Sequence, residues 1–144
     1  MLRISPHLTY DGQCRAAFER YRAVLGGTLT TFITYGESPL ASQFEPRWHD
    51  RILHATLALD GLELLGADEL PDRYRAPQGI FIGLTLRSTE HARQVFEGLA
   101  QGGRITLPFQ RTFWATGFGM LVDAFGIPWE VSSNQAPALR PVRA

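Results

Sequence analysis

The chain contains one pattern twice: an amphipathic helix that ends at a pair of glycines and is followed by a strand. The first copy begins near Asp11, the expected N-cap, and its helix stops at the glycine pair 26–27. The second begins near Ser88, which can also cap a helix, and stops at the glycine pair 102–103. A sequence with this internal repeat is expected to fold as two copies of one supersecondary unit.

Predicted strands flank both helices. In the first half they cover 3–10, 28–35, 52–60 and 62–67, and in the second half 79–86, 104–107, 113–123 and 127–132. Asp60-Gly61 suits a tight hairpin between two of them. The pattern predicts an α+β fold of two tandem β-α-β-β-β units, covering about 3–68 and 79–132. We expect one domain over 1–132 and a loose tail at 133–144.

Two long segments interrupt the repeat, at 36–50 and 68–79. Long loops in a compact domain often serve as lids or partner contacts, but they can also be plain connectors. The sequence is compatible with both interpretations.

Composition narrows the environment and the partners. The 144 residues hold 14 basic and 14 acidic side chains, which favours neither nucleic acid nor an anionic membrane as a partner. Cys14 is the one cysteine, so no disulfide can form within the chain, and its apolar helical neighbours indicate packing. No signal-like or membrane-spanning run is present. We expect a cytoplasmic protein.

Side chains alternate between the two faces of a strand, and this selects candidate site residues. The polar or open faces carry His7, His54, Thr56, Phe81 and Glu130. These faces are expected to line a ligand site, where a glycine such as Gly83 leaves room for a bound molecule.

The other aromatic and histidine residues are expected to be structural. We interpret Trp114 and Trp129 as core aromatics, with ligand binding as the alternative for Trp114. His49 lies in a predicted loop and His91 in the first turn of the second helix, so neither is a site candidate.

Three stretches resemble the PhnB-like family of the vicinal oxygen chelate superfamily, which includes glyoxalase I, extradiol dioxygenases and bleomycin-resistance proteins. They are PHLTYDGQCRAAFERYRAVLGG from residue 6, the 60–61 hairpin ending in Gly66-Ala67-Asp68, and LAQGGRITLPFQRTFWATGFGMLVDAFGIPW from residue 99, followed by an acidic residue. The resemblance covers 3–132. It implies curved sheets around a cleft with the helices outside, a small organic ligand and a homodimer.

The resemblance also implies where a metal would bind, because metal-dependent members take ligands from the first, fourth, fifth and eighth strands. The corresponding candidates here are His7, Glu63 and Glu130, whereas Phe81 takes the fifth-strand place and cannot bind a metal. An alternative register of the first strand puts Ser5 or Pro6 in the place of His7, and a shift of one pleat displaces Glu63. Whether the chain uses a cofactor, a divalent metal being one option, therefore stays open.

Two functions remain open from the sequence. One is a metal-assisted enzyme of the lyase, isomerase or dioxygenase type, with His54 and Glu130 moving protons. The other resembles the bleomycin-resistance proteins, which sequester a flat ligand without reaction. In both cases we expect His7, Thr56, Phe81 and Trp114 to contact the ligand.

Overall fold

The computed structural model describes residues 1–134 of the chain. They fall into two compact units that divide between Ala76 and Pro77. The predicted tail lies outside the described residues from 135 onward. No helix within 1–134 has the length and hydropathy that a membrane span requires.

The N-terminal unit is one four-stranded sheet with one helix. Its elements are β1 (His7–Tyr10), α1 (Cys14–Leu25), β2 (Thr28–Thr34), β3 (Ile52–Leu59) and β4 (Leu62–Asp68). The strand order is β1-β4-β3-β2, with β1 parallel to β4 and the other neighbours antiparallel.

The C-terminal unit repeats this topology. Its elements are β5 (Ile82–Leu86), α2 (Thr89–Ala100), β6 (Arg104–Gln110), β7 (Gly117–Val122) and β8 (Pro128–Ser133). The strand order is β5-β8-β7-β6, again with one parallel pair, β5 and β8. The predicted α+β class and the two β-α-β-β-β units are confirmed.

Several predicted strand ends are displaced. β5 starts at Ile82 instead of 79, and β7 starts at Gly117 instead of 113. The residues before β7 form a turn, in which the backbone N–H of Thr112 donates to the carbonyl of Ala115 over 3.1 Å. Such a turn takes the backbone out of the extended conformation.

Each helix packs on one face of its own sheet through the predicted apolar stripe. The fully or nearly buried helical residues are Cys14, Ala17, Phe18 and Tyr21 in α1, and Ala92, Val95, Phe96 and Leu99 in α2. The ring of Phe18 lies directly against Gly66 in β4, and the ring of Phe96 against Gly119 in β7. A side chain at either glycine would occupy the place of the ring, so both helices need a bare strand position.

The start of α1 differs from the prediction. Gln13, not Asp11, precedes the first helical residue, and its side chain makes no capping bond. Instead, the carboxylate of Asp68 accepts hydrogen bonds from the backbone N–H groups of Cys14 and Ile52, each over 2.9 Å. Asp68 is only 2% exposed. A buried carboxylate at the end of β4 therefore ties the helix N-terminus to β3, and the helix dipole favours its charge.

Cys14 is fully buried beside this carboxylate. Burial, and then the negative charge of Asp68, raise the pKa of its thiol. The thiol thus stays protonated and packs as a small apolar group, as the sequence predicted.

We predict that Asp68→Ala lowers the free energy of unfolding by about 2–4 kcal/mol, because two buried N–H groups lose a charged acceptor. Chemical denaturation followed by circular dichroism measures this loss. The exposed Asp72→Ala is the matched control, with an expected change within about 0.5 kcal/mol. Equal effects of the two substitutions would contradict the structural role of Asp68.

Candidate functional site

In the N-terminal unit, the face of the sheet opposite α1 carries the predicted polar residues. Leu8 and Leu57 point toward α1 and are buried. Because neighbours along a strand alternate, His7 lies on the other face, together with His54 and Thr56 of β3. The structure thus brings the three predicted residues to one surface.

The imidazoles of His7 and His54 stack on this surface. Their ring centroids are 6.4 Å apart and their planes differ by 22°. The hydroxyl of Thr56 lies 3.3 Å from Nε2 of His54 and restrains that ring. Two such rings can donate and accept hydrogen bonds toward a bound molecule.

The surroundings of His7 favour its neutral form. Burial is the main cause that lowers its pKa, repulsion by the charge of His54 adds to it, and the carboxylate of Glu69 opposes it. A neutral imidazole offers a free nitrogen lone pair, so it can accept a proton or a hydrogen bond near neutral pH.

The proposed metal ligands do not form a metal-binding set. Oε1 of Glu63 forms an ion pair with Nη2 of Arg3 over 2.9 Å, which engages one of its two oxygens. Phe81, at the fifth-strand place, offers no donor atom. In residues 1–134, no group of three or more His, Cys, Asp or Glu side chains is placed to hold an ion. The residues described do not fit a bound divalent metal.

In the C-terminal unit, Glu130 occupies the face of the sheet opposite α2. Its neighbours along the strand, Trp129 and Val131, are fully buried toward α2. Across the sheet Glu130 pairs with Gly83 on β5 and with Met120 on β7. The carboxylate has no hydrogen bond or ion pair with any residue in 1–134, although it is partly buried.

Gly83 keeps the space beside this carboxylate open. A Cβ atom at position 83 would come within 3.4 Å of Oε1 of Glu130, which is ordinary van der Waals contact. A larger side chain would therefore press against the carboxylate. The absence of a side chain here leaves one flank of Glu130 accessible.

The turn before β8 explains why Glu130 points this way. The buried carboxylate of Asp123 accepts from the backbone N–H groups of Phe125 and Ile127 and from the indole N–H of Trp129, each over 2.9 Å. Trp129 is thereby fixed in the core, as predicted. The strand alternation then leaves Glu130 on the opposite face. The role of Asp123 is not evident from the sequence, because nothing in the pattern shows that it is buried.

Trp114 is not the core residue that the sequence favoured. It lies in the turn before β7, is 51% exposed, and packs edge-on against Phe118 and Phe113 at centroid distances of 5.3 and 4.7 Å. Phe81 precedes β5 and is 42% exposed. Both side chains can therefore contact a ligand.

The loop 36–50 is a folded connector. The side chain of His49 bridges parts of this loop, because its Nε2–H donates to the carbonyls of Ala41 and Phe44 over 3.0 and 3.1 Å. His49 thus has the structural role expected of it. A groove of about 320 Å³ opens between this loop and the residues after β4. Its lining contains none of the predicted site residues: it consists of Glu45, Arg47, Trp48, Leu70, Pro71 and Asp72.

Comparison with known proteins agrees with this architecture. The sequence matches the profile of the Glyoxalase/Bleomycin resistance protein/Dioxygenase superfamily over residues 3–131. The chain belongs to this superfamily. The resemblance seen in the sequence motifs is thereby confirmed.

Similar proteins match this chain along nearly their whole length. Protein YjdN of Escherichia coli (strain K12) is 31% identical over 137 residues, which cover 90% of this chain and 93% of YjdN. The crystal structure of protein PA1353 from Pseudomonas aeruginosa is 38% identical with a TM-score of 0.86, covering 93% of this chain and 98% of that one. A PhnB protein from Bacillus cereus, at 23% identity and a TM-score of 0.78, covers 92% and 99% of the two chains and shares the fold.

We predict that His7 titrates below the ordinary histidine pKa, as followed by the NMR shifts of its ring protons. His54→Gln removes a repelling charge and should raise the His7 midpoint, whereas Glu69→Gln removes an attracting one and should lower it. The exposed His91→Gln is the control and should leave the midpoint unchanged. A midpoint that His54→Gln does not move would refute the coupling.

The lowered pKa of His7 also affects stability, because the folded chain disfavours protonated His7. The contribution of neutral His7 to stability is present above the ordinary histidine pKa and is lost as the pH falls below that value.

Proposed function

We propose that this protein binds a small organic molecule on the faces of its sheets that the helices leave uncovered. The main support for this proposal is the carboxylate of Glu130. It is partly buried, has no partner in residues 1–134, and lies beside the open position of Gly83. Polar groups removed from water are normally hydrogen-bonded, so one left without a partner is suited to a ligand.

The expected ligand contacts support the same function. In the N-terminal unit, neutral His7 and the Thr56 hydroxyl can form hydrogen bonds with a ligand. In the C-terminal unit, Phe81 and Trp114 are exposed aromatic side chains on which a flat molecule can pack. With such contacts this protein would sequester a ligand without transforming it, in the manner of bleomycin-resistance proteins.

Catalysis is the second candidate, and the restraint of His54 by Thr56 favours it. A proton-transfer group must be held in one orientation, and the contact between the Thr56 hydroxyl and Nε2 of His54 does this. His54 in the N-terminal unit and Glu130 in the C-terminal unit would then each be a proton-transfer residue of a lyase or isomerase reaction. The donor set within residues 1–134 does not fit a metal, so these side chains would act without one.

To test binding, we would screen a library of small organic compounds for those that raise the melting temperature, and confirm them by isothermal titration calorimetry. For a compound that binds, Trp114→Ala should weaken affinity about tenfold through lost aromatic contact. Leu62→Ala is the matched control, since Leu62 is a large exposed apolar residue at the start of β4. Failure of every compound to bind, or equal loss in both variants, would count against the proposal.

We further propose that the protein acts in the cytoplasm as a homodimer. Large apolar side chains remain uncovered in the single chain, among them Phe113 at 95% and Ile80 at 69% exposure. Light scattering should give twice the chain mass of 16.1 kDa, and Phe113→Ser should shift the equilibrium toward the single chain. A monomer at all concentrations would be evidence against this assembly.

A further inference from the structure

Strand register arranges the uncovered face of the C-terminal sheet into rows of neighbouring side chains. One row joins Gly83, Glu130, Met120 and Leu107. The adjacent row joins Thr85, Ser132, Phe118 and Gln110. These two rows make up the sheet surface that surrounds Glu130.

Glu130 is the single charged side chain of these two rows. The hydroxyls of Thr85 and Ser132 lie 3.3 Å apart and engage each other, and Ser132 also reaches the carbonyl of Leu84 over 3.4 Å. The nearest basic residue by register is Arg104, which lies opposite Val122 in the next row and on the edge strand β6. No side chain in these two rows therefore carries a positive charge that balances Glu130.

Aromatic side chains lie beside the surface that surrounds Glu130. Phe118 belongs to the second row, and Trp114 packs against its ring at 5.3 Å between centroids. Trp114 is half-exposed, so part of its ring system is free to contact a ligand. The faces of aromatic rings attract cations, most strongly in the case of tryptophan.

We propose that the ligand of this surface is a flat organic cation whose protonated amine pairs with Glu130 while its apolar body packs on Phe118, Met120 and Trp114. This inference rests on the proposed binding function and deepens it by naming the ligand class. An unbalanced carboxylate beside aromatic rings complements a cation, whereas an anionic ligand would meet repulsion.

Gly83 is the position that admits the amine. It is directly opposite Glu130 in the register, and its missing side chain leaves the carboxylate accessible from β5. Valine at this position fits the conformation of a strand but would place two methyl groups against the carboxylate. Gly83→Val should therefore exclude the amine while the strand is kept.

The experiment compares three probes with one ring system and different charge: 1-naphthylmethylammonium, 1-naphthylmethanol and 1-naphthylacetate. Calorimetry at pH 7 measures each affinity for the intact chain, for Glu130→Gln and for Gly83→Val. Glu97→Gln serves as the control, because Glu97 is an exposed carboxylate on α2. Circular dichroism verifies that each variant is folded.

We expect the ammonium probe to bind the intact chain best and the carboxylate probe worst. Glu130→Gln should weaken the ammonium probe about tenfold, because a charged hydrogen bond becomes a neutral one, and leave the alcohol nearly unchanged. Gly83→Val should weaken the ammonium probe to a similar extent, and Glu97→Gln should have no effect.

Other results would overturn the ligand class. Equal affinity for the three probes, no binding of the ammonium probe, or an ammonium affinity that Glu130→Gln leaves unchanged would each do so. If the alcohol still binds and Trp114→Ala weakens it, the proposed binding function survives and only the cationic class is lost. If no probe and no library compound binds, both fail.

Discussion

The arrangement of the candidate site depends on the hydrogen bonds to one buried carboxylate, that of Asp123. It holds the turn between β7 and β8 through two backbone N–H groups and anchors Trp129 through its indole N–H. A shift of β8 by one residue would exchange its two faces, turning Glu130 toward α2 and Trp129 toward solvent. The position of the proposed ligand-binding group thus follows from the register that Asp123 fixes. Asp68 has a comparable part in the first unit, where it connects α1 to β3.

The sequence predicts the fold because its repeat, its glycine pairs and its apolar periodicity all point to the same unit. It also predicts which face of a regular strand is uncovered, since alternation depends only on parity. In this way it predicts the uncovered strand positions of His7, His54, Thr56 and Glu130. The sequence is less informative where the backbone is irregular. The turn at Thr112 displaces the start of β7 and exposes Trp114, and the distant Asp68 replaces Asp11 at the start of α1.

The two repeats share a topology but differ in the chemistry of their uncovered faces. The first presents a pair of stacked imidazoles, one of them with a lowered pKa, and the second presents a carboxylate beside aromatic rings. Membership of the superfamily fixes the scaffold and not the reaction, because its sites are built from side chains that vary on a common sheet. The ligand class therefore depends on the charges and shapes of these faces.

The most direct test of the account is to map a bound ligand on the chain by NMR. For a compound that binds in calorimetry, the amide shifts of the 15N-labelled protein would be followed through a titration. We predict that the largest changes fall on the uncovered sheet faces, at residues such as Gly83 and Glu130 or His7 and His54. Changes concentrated on the exposed sides of α1 and α2, or in the groove beside Trp48, would contradict it.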